Sequence, residues 1–322
     1  MFNTPILFII FNRPDKAKKV FKKIQAIEPK QLFIAADGPR KNKPEDVELC
    51  KQTREILNGI NWDCELKTLL REENVGCKKG PADAISWFFE HVEEGIILED
   101  DCLPSDSFFP FCEELLEKYR YDTRIMHISG ESKLPDYENP DSYYFSRLAY
   151  VWGWATWKRA WQLMDLNLTN FEEFKQRNII RDKVKNKYHR QDWVNNFQRA
   201  KDGNDIWDYL WQYTLFIQNG LAIVPSKNLI LNIGFDGQAT HTSIKPQWYD
   251  QMVSYTLPEN KLKHPNFIYI DEELQHKVLV TCFNMNPSFS FKRYPLYHKI
   301  KKVIPTRLRI AFSRLLGNQA NA

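Results

Sequence analysis

An apolar stretch that ends abruptly in three consecutive carboxylates is the feature that most restricts how this chain can fold. Residues 95–98 are Gly-Ile-Ile-Leu, a run of strand length, and Glu99, Asp100 and Asp101 follow directly. Adjacent carboxylates repel one another, so a folded chain tolerates them at a strand end where water or a cation neutralises their charge. In open α/β sheets, the carboxyl ends of strands are also where ligands bind. The stretch indicates either a solvated acidic turn or a ligand site, and its apolar context favours the site.

The oxygen atoms of these three side chains suit one class of cation. Mg²⁺ and Mn²⁺ prefer hard oxygen ligands, and they complete their coordination with water and the oxygens of a substrate diphosphate. We therefore expect Mn²⁺ or Mg²⁺ at residues 99–101, shared with a diphosphate.

The first 130 residues alternate strand-like and helix-like segments. A continuous apolar run predicts a strand at 5–11, and strand-like segments predict further strands at 31–36, 65–70, 95–98 and 125–129. Apolar residues at helical spacing predict helices at 15–27, 44–57, 80–92 and 105–119, with Asp15 and Ser105 as caps. This rhythm predicts a mostly parallel, doubly wound sheet that is flanked by helices.

After Gly130 the pattern changes. The polar, proline-bearing segment 131–142 predicts a mobile loop, and the aromatic block 150–157 is expected to open a helix. Further helices are expected around 171–177, 182–200 and 206–219, and short strands at 221–224 and 228–233. We expect a single domain with a helix-rich second half.

The residues around the triplet resemble a known family. The segment 97–101, Ile-Leu-Glu-Asp-Asp, follows Asn-Val-Gly-Cys-Lys-Lys-Gly at 74–80 and a helix, and it resembles the D-x-D region of GT-A fold glycosyltransferases. Within that fold it is similar to N-acetylglucosaminyltransferase I-type and family 2-type enzymes. The resemblance implies a GT-A, Rossmann-like domain over 1–241, with a nucleotide-binding half (1–130) and an acceptor-side half (131–241). An extension (242–291) and a basic tail (292–322) follow.

The resemblance also implies which side chains hold the nucleotide. In the family, the ends of the first two strands hold the base and ribose, and the matching positions are Phe11, Asn12, Arg13 and Asp37. The carboxylate of Asp37 suits uracil because it accepts a hydrogen bond from the imide N–H, although Asp37 can instead be a turn former. Arg13 can instead pair with Asp15 or cap a sheet edge.

By the same resemblance, the triplet holds the metal. Asp101 is the expected ligand of the divalent ion, Asp100 contacts ribose or sugar hydroxyls, and Glu99 lies on the donor side. The ion bridges the two phosphates and stabilises the charge on the departing nucleoside diphosphate. Family members often add a distal histidine, and His241 follows in the right order. A lone histidine is more often structural.

Several further residues have weaker assignments. Gly153 and Trp154 suit a sugar platform, because tryptophan presents a large rigid face to a pyranose, and a core tryptophan is the alternative. Glu131 is expected to face the donor sugar or the acceptor. Lys79 or Lys78 can reach the diphosphate, or either can be a solvated charge.

An inverting transfer needs a carboxylate that takes the proton of the acceptor hydroxyl. In the family this acid begins a tryptophan-rich helix, and the segment 205–212, Asp-Ile-Trp-Asp-Tyr-Leu-Trp-Gln, matches that description. Asp208 is the expected base, and Asp205 is the neighbouring alternative. Either acid can instead be a first-turn residue that the helix dipole stabilises.

The implied activity is that of a metal-dependent, inverting glycosyltransferase. It moves a hexosyl or N-acetylhexosaminyl group from a nucleotide-diphosphate donor, a UDP-sugar, to a glycan or lipid-linked acceptor hydroxyl. The alternatives are a sugar-1-phosphate nucleotidyltransferase and a non-catalytic nucleotide-sugar-binding module. A nucleotidyltransferase needs a glycine-rich loop after the first strand, and no glycine precedes Gly38 in this chain.

Charge and cysteine content suggest where the protein works. Residues 292–322 carry eight Lys or Arg residues and no acid, interleaved with apolar residues. This pattern is typical of a helix on an anionic membrane surface, and a solvated terminal helix is the alternative. Nucleic acid is not an expected partner, because no recognition module accompanies the basic segment.

The six cysteines form no C-x-x-C pair, and the start has no signal peptide or transmembrane pattern. We expect a cytoplasmic protein in peripheral contact with the inner membrane face.

Overall fold

The computed structural model describes residues 2–134, 137–235, 249, 252–256, 262–283 and 285. Within these residues the strands are β1 (Ile6–Ile10), β2 (Gln31–Ala36), β3 (Glu65–Leu70), β4 (Glu94–Glu99), β5 (Cys102–Pro104), β6 (Ile125–Ser129), β7 (Tyr143–Ser146), β8 (Trp154–Trp157), β9 (Leu221–Pro225) and β10 (Ile230–Asn232). The helices are α1 (Pro14–Ile27), α2 (Glu45–Arg54), α3 (Lys79–His91), α4 (Phe108–Tyr119), α5 (Lys158–Trp161), α6 (Phe171–Gln176), α7 (Ile180–Lys183), α8 (Lys187–Lys201), α9 (Asp208–Ile217) and α10 (Glu272–Thr281). A 3₁₀ helix, Glu55–Gly59, extends α2.

Eight strands form the central sheet in the order β3-β2-β1-β4-β8-β6-β9-β7. The first four are mutually parallel, so β1, β2 and β4 end at the same edge of the sheet. Strand β8 runs antiparallel between β4 and β6, β6 is parallel to β9, and β7 is antiparallel to β9. The predicted fold class, a mostly parallel α/β sheet flanked by helices, is confirmed.

Strands β1, β2 and β4 are apolar along most of their length because both of their faces are covered, whereas the edge strand β3 is largely exposed. On one face, Phe8 packs with residues of α1 and α4. On the opposite face, Leu7 packs with residues of α3, α5 and α9. A third apolar cluster joins α6, α8, α9 and α10 around Trp193 and Phe197, which makes the second half rich in helices.

The structure corrects three local predictions. The aromatic block does not open a helix, because Trp154–Trp157 forms β8 and α5 begins only after it. The first part of the predicted mobile loop, residues 131–134, is buried. Helix α4 begins at Phe108 rather than next to Ser105, whose buried hydroxyl caps nothing.

A small second sheet fixes the chain that follows the acidic triplet. Strand β5 pairs with β10 in antiparallel fashion, and the N–H of Ile233 donates to the carbonyl of Asp101 at 2.8 Å. The segment after β10 therefore lies beside the triplet. Among the described residues, no helix combines the length and the apolar character that crossing a bilayer requires.

Candidate active site

A cavity of about 310 Å³ opens at the carboxyl ends of β1, β2 and β4, and residues from both halves of the chain line it. Its lining combines polar and charged side chains with aromatic rings. The lining residues include Phe11, Arg13, Asp37, Arg40, Arg71, Asn74, Cys77, Glu99, Asp100, Asp101, Trp152, Asp205, Trp207, Asp208, Asn232 and Phe235.

The acidic triplet lies at the centre of the cavity wall. Glu99 is the last residue of β4, and the backbone N–H of Phe11 donates to Asp100 at 3.0 Å. The Nη1 atom of Arg13 lies 2.6 Å from Asp101 Oδ2 and 3.4 Å from Asp100 Oδ1. One guanidinium therefore serves two of the three carboxylates, and negative charge remains in excess.

Burial, together with this excess negative charge, raises the pKa values of two of the acids. Burial, with the charges of Asp101 and Asp100, raises the pKa of Glu99 to about 8. Burial also raises the pKa of Asp100 to about 6, although the charge of Arg13 opposes the change. A carboxyl group with such a raised pKa lies where a further positive charge is favoured. The cluster therefore has the electrostatic character of a cation site.

Asp37 lies at the end of β2 and anchors a neighbouring loop. Its carboxylate accepts hydrogen bonds from the N–H of Gly38 (3.0 Å), the N–H of Val75 (3.2 Å) and Nδ2 of Asn74 (2.8 Å). Burial raises the pKa of Asp37 above its usual value even though these bonds favour the charged form. Asp37 does line the cavity, and its contact with uracil stays a prediction.

The structure places Asn12 behind the cavity wall rather than on it. The Nδ2 of Asn12 donates at 2.7 Å to Asp46, a fully buried carboxylate. Asp46 also accepts two hydrogen bonds from Arg40, at 2.6 and 2.9 Å, and the Arg40 guanidinium lies 5.4 Å from the centre of the Phe11 ring. Asn12 thus supports the Arg40–Phe11 wall. Asn12 is not among the residues that line the cavity, and its contact with the nucleotide stays a prediction.

The geometry separates the two candidate bases. Asp205 accepts hydrogen bonds from the N–H groups of Cys77 (2.7 Å) and Lys78 (2.5 Å), so it clamps the loop that precedes α3. Asp208 is the first residue of α9 and lines the cavity, and its charge contributes to the raised pKa of Glu99. Asp208 therefore lies near the triplet, with its Oδ1 accepting a hydrogen bond from the N–H of Tyr209 at 2.9 Å, whereas both oxygens of Asp205 accept hydrogen bonds from the loop that precedes α3.

Trp154 is not a sugar platform. Its side chain has no exposed surface, and it stacks on His127 at 4.8 Å and on Trp207 at 5.8 Å between ring centres. Both faces of the ring are thus covered by protein. Gly153 has a φ of +61° in the turn before β8, which is a structural role. The aromatic residues that line the cavity are instead Phe11, Trp152, Phe235 and the largely buried Trp207.

Glu131 and Lys79 also lie away from the cavity. Glu131 is 2% exposed and forms an ion pair with Lys133 at 2.7 Å. The Lys133 ammonium lies 4.8 Å from the centre of the Trp152 ring, so this pair supports a cavity residue from behind. Lys79 is an exposed first residue of α3. Neither residue is among those that line the cavity, the contacts of Glu131 with a substrate and of Lys79 with the diphosphate stay predictions, and His241 lies outside the described residues.

Sequence reasoning missed Arg40, Arg71 and Asn74. Arg71 and Asn74 follow β3, the third parallel strand, so the rule that placed ligand contacts after β1 and β2 applied equally to them. Arg40 carried no comparable signal, because its position depends on the buried carboxylate of Asp46.

The residues present fit a divalent cation that a substrate helps to hold. Within the described part of the chain, no three His, Cys, Asp or Glu side chains are arranged to bind a metal by themselves. Mg²⁺ typically uses one or two carboxylates and takes its other ligands from phosphates and water. Gly234 makes room for one such carboxylate, since a Cβ atom there would lie 2.3 Å from Asp101 Oδ2. Asp101 and Asp100 are the carboxylates that fit.

No protein-family model matches this chain, and no curated protein is similar to it in sequence. Three solved structures resemble its fold at a distance. S. aureus TarS 1–349 has a TM-score of 0.37 and 9% identity over 70% of this chain and 59% of its own, so the present chain spans less than two thirds of it. An apo UDP-glucose pyrophosphorylase has a TM-score of 0.35 and 11% identity over 70% of this chain and 93% of its own. Mouse xyloside xylosyltransferase 1 has a TM-score of 0.33 and 11% identity over 67% of this chain and 81% of its own. Similarities this distant assign no reaction.

Proposed function

We propose that this chain is a metal-dependent, inverting glycosyltransferase. It moves a hexosyl or N-acetylhexosaminyl group from a UDP-sugar to a hydroxyl group of a glycan or a lipid-linked acceptor. One observation carries the proposal: a single cavity joins the acidic triplet at the end of β4 to Asp208 at the start of α9. A transferase of this kind needs a cation site for the diphosphate and a carboxylate for the acceptor in one space.

The donor occupies the wall formed by the parallel strands. Phe11 and Arg40 offer an aromatic and cationic surface for a base, and Asp37 lies beside them at the end of β2. Asp101 and Asp100 would hold Mn²⁺ or Mg²⁺. By family resemblance, His241 is a further proposed ligand. When bound, the ion supplies positive charge that stabilises the departing nucleoside diphosphate.

Asp208 acts on the acceptor. Its carboxylate takes the proton of the acceptor hydroxyl while that oxygen forms a bond to the anomeric carbon of the donor sugar. The bond between the anomeric carbon and the diphosphate oxygen breaks, and the diphosphate leaves with the electron pair. Attack on the face opposite the leaving group inverts the anomeric centre. Trp152 and Trp207 offer apolar faces to the sugars in between.

The loop after β1 supports this activity over nucleotidyl transfer. Residues 11–13, which connect β1 to α1, contain no glycine, and α1 starts with Pro14. Such a connection lacks the glycine-rich backbone that a nucleotidyltransferase wraps around a triphosphate.

Two measurements test the proposal. A thermal-shift panel of nucleotide sugars, each with and without Mn²⁺, should rank the donors, because a bound ligand raises the melting temperature. Asp101→Ala should abolish Mn²⁺-dependent UDP binding. Asp208→Asn should keep that binding and lower the rate of transfer by about 10²–10⁴-fold.

Asp106→Asn is the matched control, because this exposed carboxylate lies close to the triplet in sequence but pairs with Lys23 on the surface. It should behave like the wild type in both assays. Full turnover by Asp208→Asn would exclude the proposed base. Binding of UDP without any turnover, for every acceptor class tested, would favour a non-catalytic binding module.

The basic segment 292–322, which lies outside the described residues, is proposed to hold the enzyme at an anionic membrane surface. Flotation with phosphatidylglycerol-containing liposomes should recover the full chain and leave a protein truncated after residue 291 in the soluble fraction. Equal flotation of both proteins would exclude a membrane role for this segment.

A further inference from the structure

We propose that Arg13 changes partners when the donor binds. In the ligand-free protein its guanidinium neutralises Asp101, and in the loaded protein it leaves Asp101 to the metal and pairs with the diphosphate. This inference rests on the proposed function. Its consequence is that the metal and the nucleotide bind cooperatively, while the metal alone binds weakly.

The contacts of Arg13 show how readily it can exchange. A single nitrogen, Nη1, makes both contacts with the triplet, at 2.6 Å to Asp101 and 3.4 Å to Asp100. Among the described residues, Nε and Nη2 of Arg13 have no hydrogen-bond partner. The side chain is 15% exposed and lines the cavity. The planar guanidinium of Arg13 has the geometry that matches a phosphate, and in the ligand-free protein only one of its three nitrogens donates to the triplet.

A metal ion and Arg13 compete for the same carboxylate. Asp101 Oδ2 receives Nη1 at 2.6 Å, which is the distance of a short charge-assisted hydrogen bond. A divalent ion on that carboxylate would lie a few ångströms from the guanidinium, and two cations at such a distance repel strongly in a partly buried site. We therefore infer that binding of the metal displaces Arg13, and that the free energy of the Arg13–Asp101 contact is subtracted from the free energy of metal binding.

Two other guanidinium groups that line the cavity are held elsewhere. Arg40 makes two hydrogen bonds to the buried Asp46, and Arg71 lies 3.3 Å from Asp83. Neither pairs with the triplet. Arg13 is thus the lining arginine whose partner is removed when the metal binds, and a diphosphate held by that metal offers it new anionic oxygens. Because coupling is reciprocal, UDP raises the affinity for the metal by the same factor as the metal raises the affinity for UDP.

Binding of Mn²⁺ tests the exchange without any need for turnover. Free Mn²⁺ is measured by electron paramagnetic resonance, with and without UDP, for wild type, Arg13→Gln and the matched control Arg124→Gln, an exposed arginine that pairs with Asp122 and is not among the lining residues of the cavity. Arg13→Gln should bind Mn²⁺ alone about tenfold more tightly than wild type, because no internal cation competes for Asp101. It should also lose most of the enhancement that UDP gives. Arg124→Gln should bind Mn²⁺ as the wild type does, both alone and with UDP.

A second variant tests the exchange even if Arg13→Gln does not fold. Asp101→Asn removes the acid that holds Arg13, so this variant should bind UDP in the presence of EDTA more tightly than wild type while it loses Mn²⁺. If wild type binds Mn²⁺ and UDP together but neither variant shows its predicted gain, the exchange is wrong and the proposed function stands. If wild type binds neither Mn²⁺ nor UDP, the exchange and the proposed function both fail.

Discussion

Acid should destabilise this protein through one buried histidine in the sheet below the cavity. His127 lies in β6 and has no exposed surface. Its Nδ1 must accept the hydrogen bond from Nε1 of Trp211 at 3.1 Å, because an indole only donates. In the neutral ring, Nε2 then carries the proton and donates to the carbonyl of Tyr150 at 3.0 Å. Protonation of Nδ1 would break the Trp211 bond and place a charge in the core.

The magnitude follows from the pKa shift. Burial lowers the pKa of His127 from 6.5 to about 3. Between these two values the unfolded chain binds a proton and the folded chain does not, so stability is complete above pH 6.5 and is lost as the pH falls. At pH 5 the loss from this residue is about 2 kcal/mol.

Urea unfolding of wild type and His127→Gln at pH 7.5 and pH 5 measures the effect, with circular dichroism as the probe. The substitution itself should lower stability at both pH values. The decisive quantity is the change between them, which should be about 2 kcal/mol more unfavourable for wild type than for the variant. Glu99 and Asp100, whose pKa values are raised, are present in both proteins, so their contribution cancels in this comparison.

His91 provides the control, since its ring is exposed and His91→Gln should retain the pH dependence of wild type. An equal loss of stability on acidification in wild type and His127→Gln would refute the reasoning, because the buried histidine would then not be the group that titrates.

Three further outcomes are expected. Asp205→Ala should lower the free energy of unfolding by about 1 kcal/mol, because two backbone N–H groups lose a charged acceptor, and amide exchange of residues 77 and 78 should accelerate. Gly234→Ala should weaken Mn²⁺ binding in the presence of UDP by about tenfold, measured by calorimetry, because the new methyl group would displace Asp101 and cost about one charge-assisted contact. Asp46→Ala should lower the melting temperature and destabilise the fold by about 2 kcal/mol, because Arg40 loses its buried partner.

The sequence predicted the parallel part of the sheet well, for a physical reason. Strands β2, β3 and β6 have the predicted bounds, and β1 and β4 differ from theirs by one residue at each end. Strands β1, β2, β4 and β6 are mostly buried, and strands covered on both faces read as largely apolar runs between turn residues; the edge strand β3 is largely exposed, so this reason does not apply to it. The same rule failed for β8, because four aromatic or small residues that are all buried look equally like a helix in a core. Only the pairing of this segment with β4 and β6, which are distant in sequence, makes it a strand rather than a helix.

The candidate site was predictable in position but not in detail. Residues at the ends of parallel strands were expected to meet, and Phe11, Asp37 and the triplet do line one cavity. The directions in which individual side chains point were not predictable. Asn12 turns to Asp46, and Trp154 packs between two rings in the core. These orientations depend on partners that local sequence does not reveal.

Local sequence could not decide between Asp205 and Asp208 as the base for the same reason. Both acids precede or begin α9 and are equivalent by spacing alone. They are distinguished by a contact across 128 positions of sequence, from Asp205 to the N–H of Cys77. A contact of this range exists only after the two halves of the chain have folded together. Such a residue cannot be told from its neighbour by any local pattern.

The carboxyl end of β4 depends on the second half of the chain in a similar way. The triplet belongs to the nucleotide-binding half, yet β5, which follows it, pairs with β10, and the backbone of Ile233 holds Asp101. Gly234 then packs against the Asp101 carboxylate, next to Asn232. The position of the proposed metal ligand is thus fixed by residues more than a hundred positions away. Substitutions in β10 should therefore weaken metal binding even though this strand contributes no acid, and a fragment that ends before β10 should bind UDP no better with Mn²⁺ than without it.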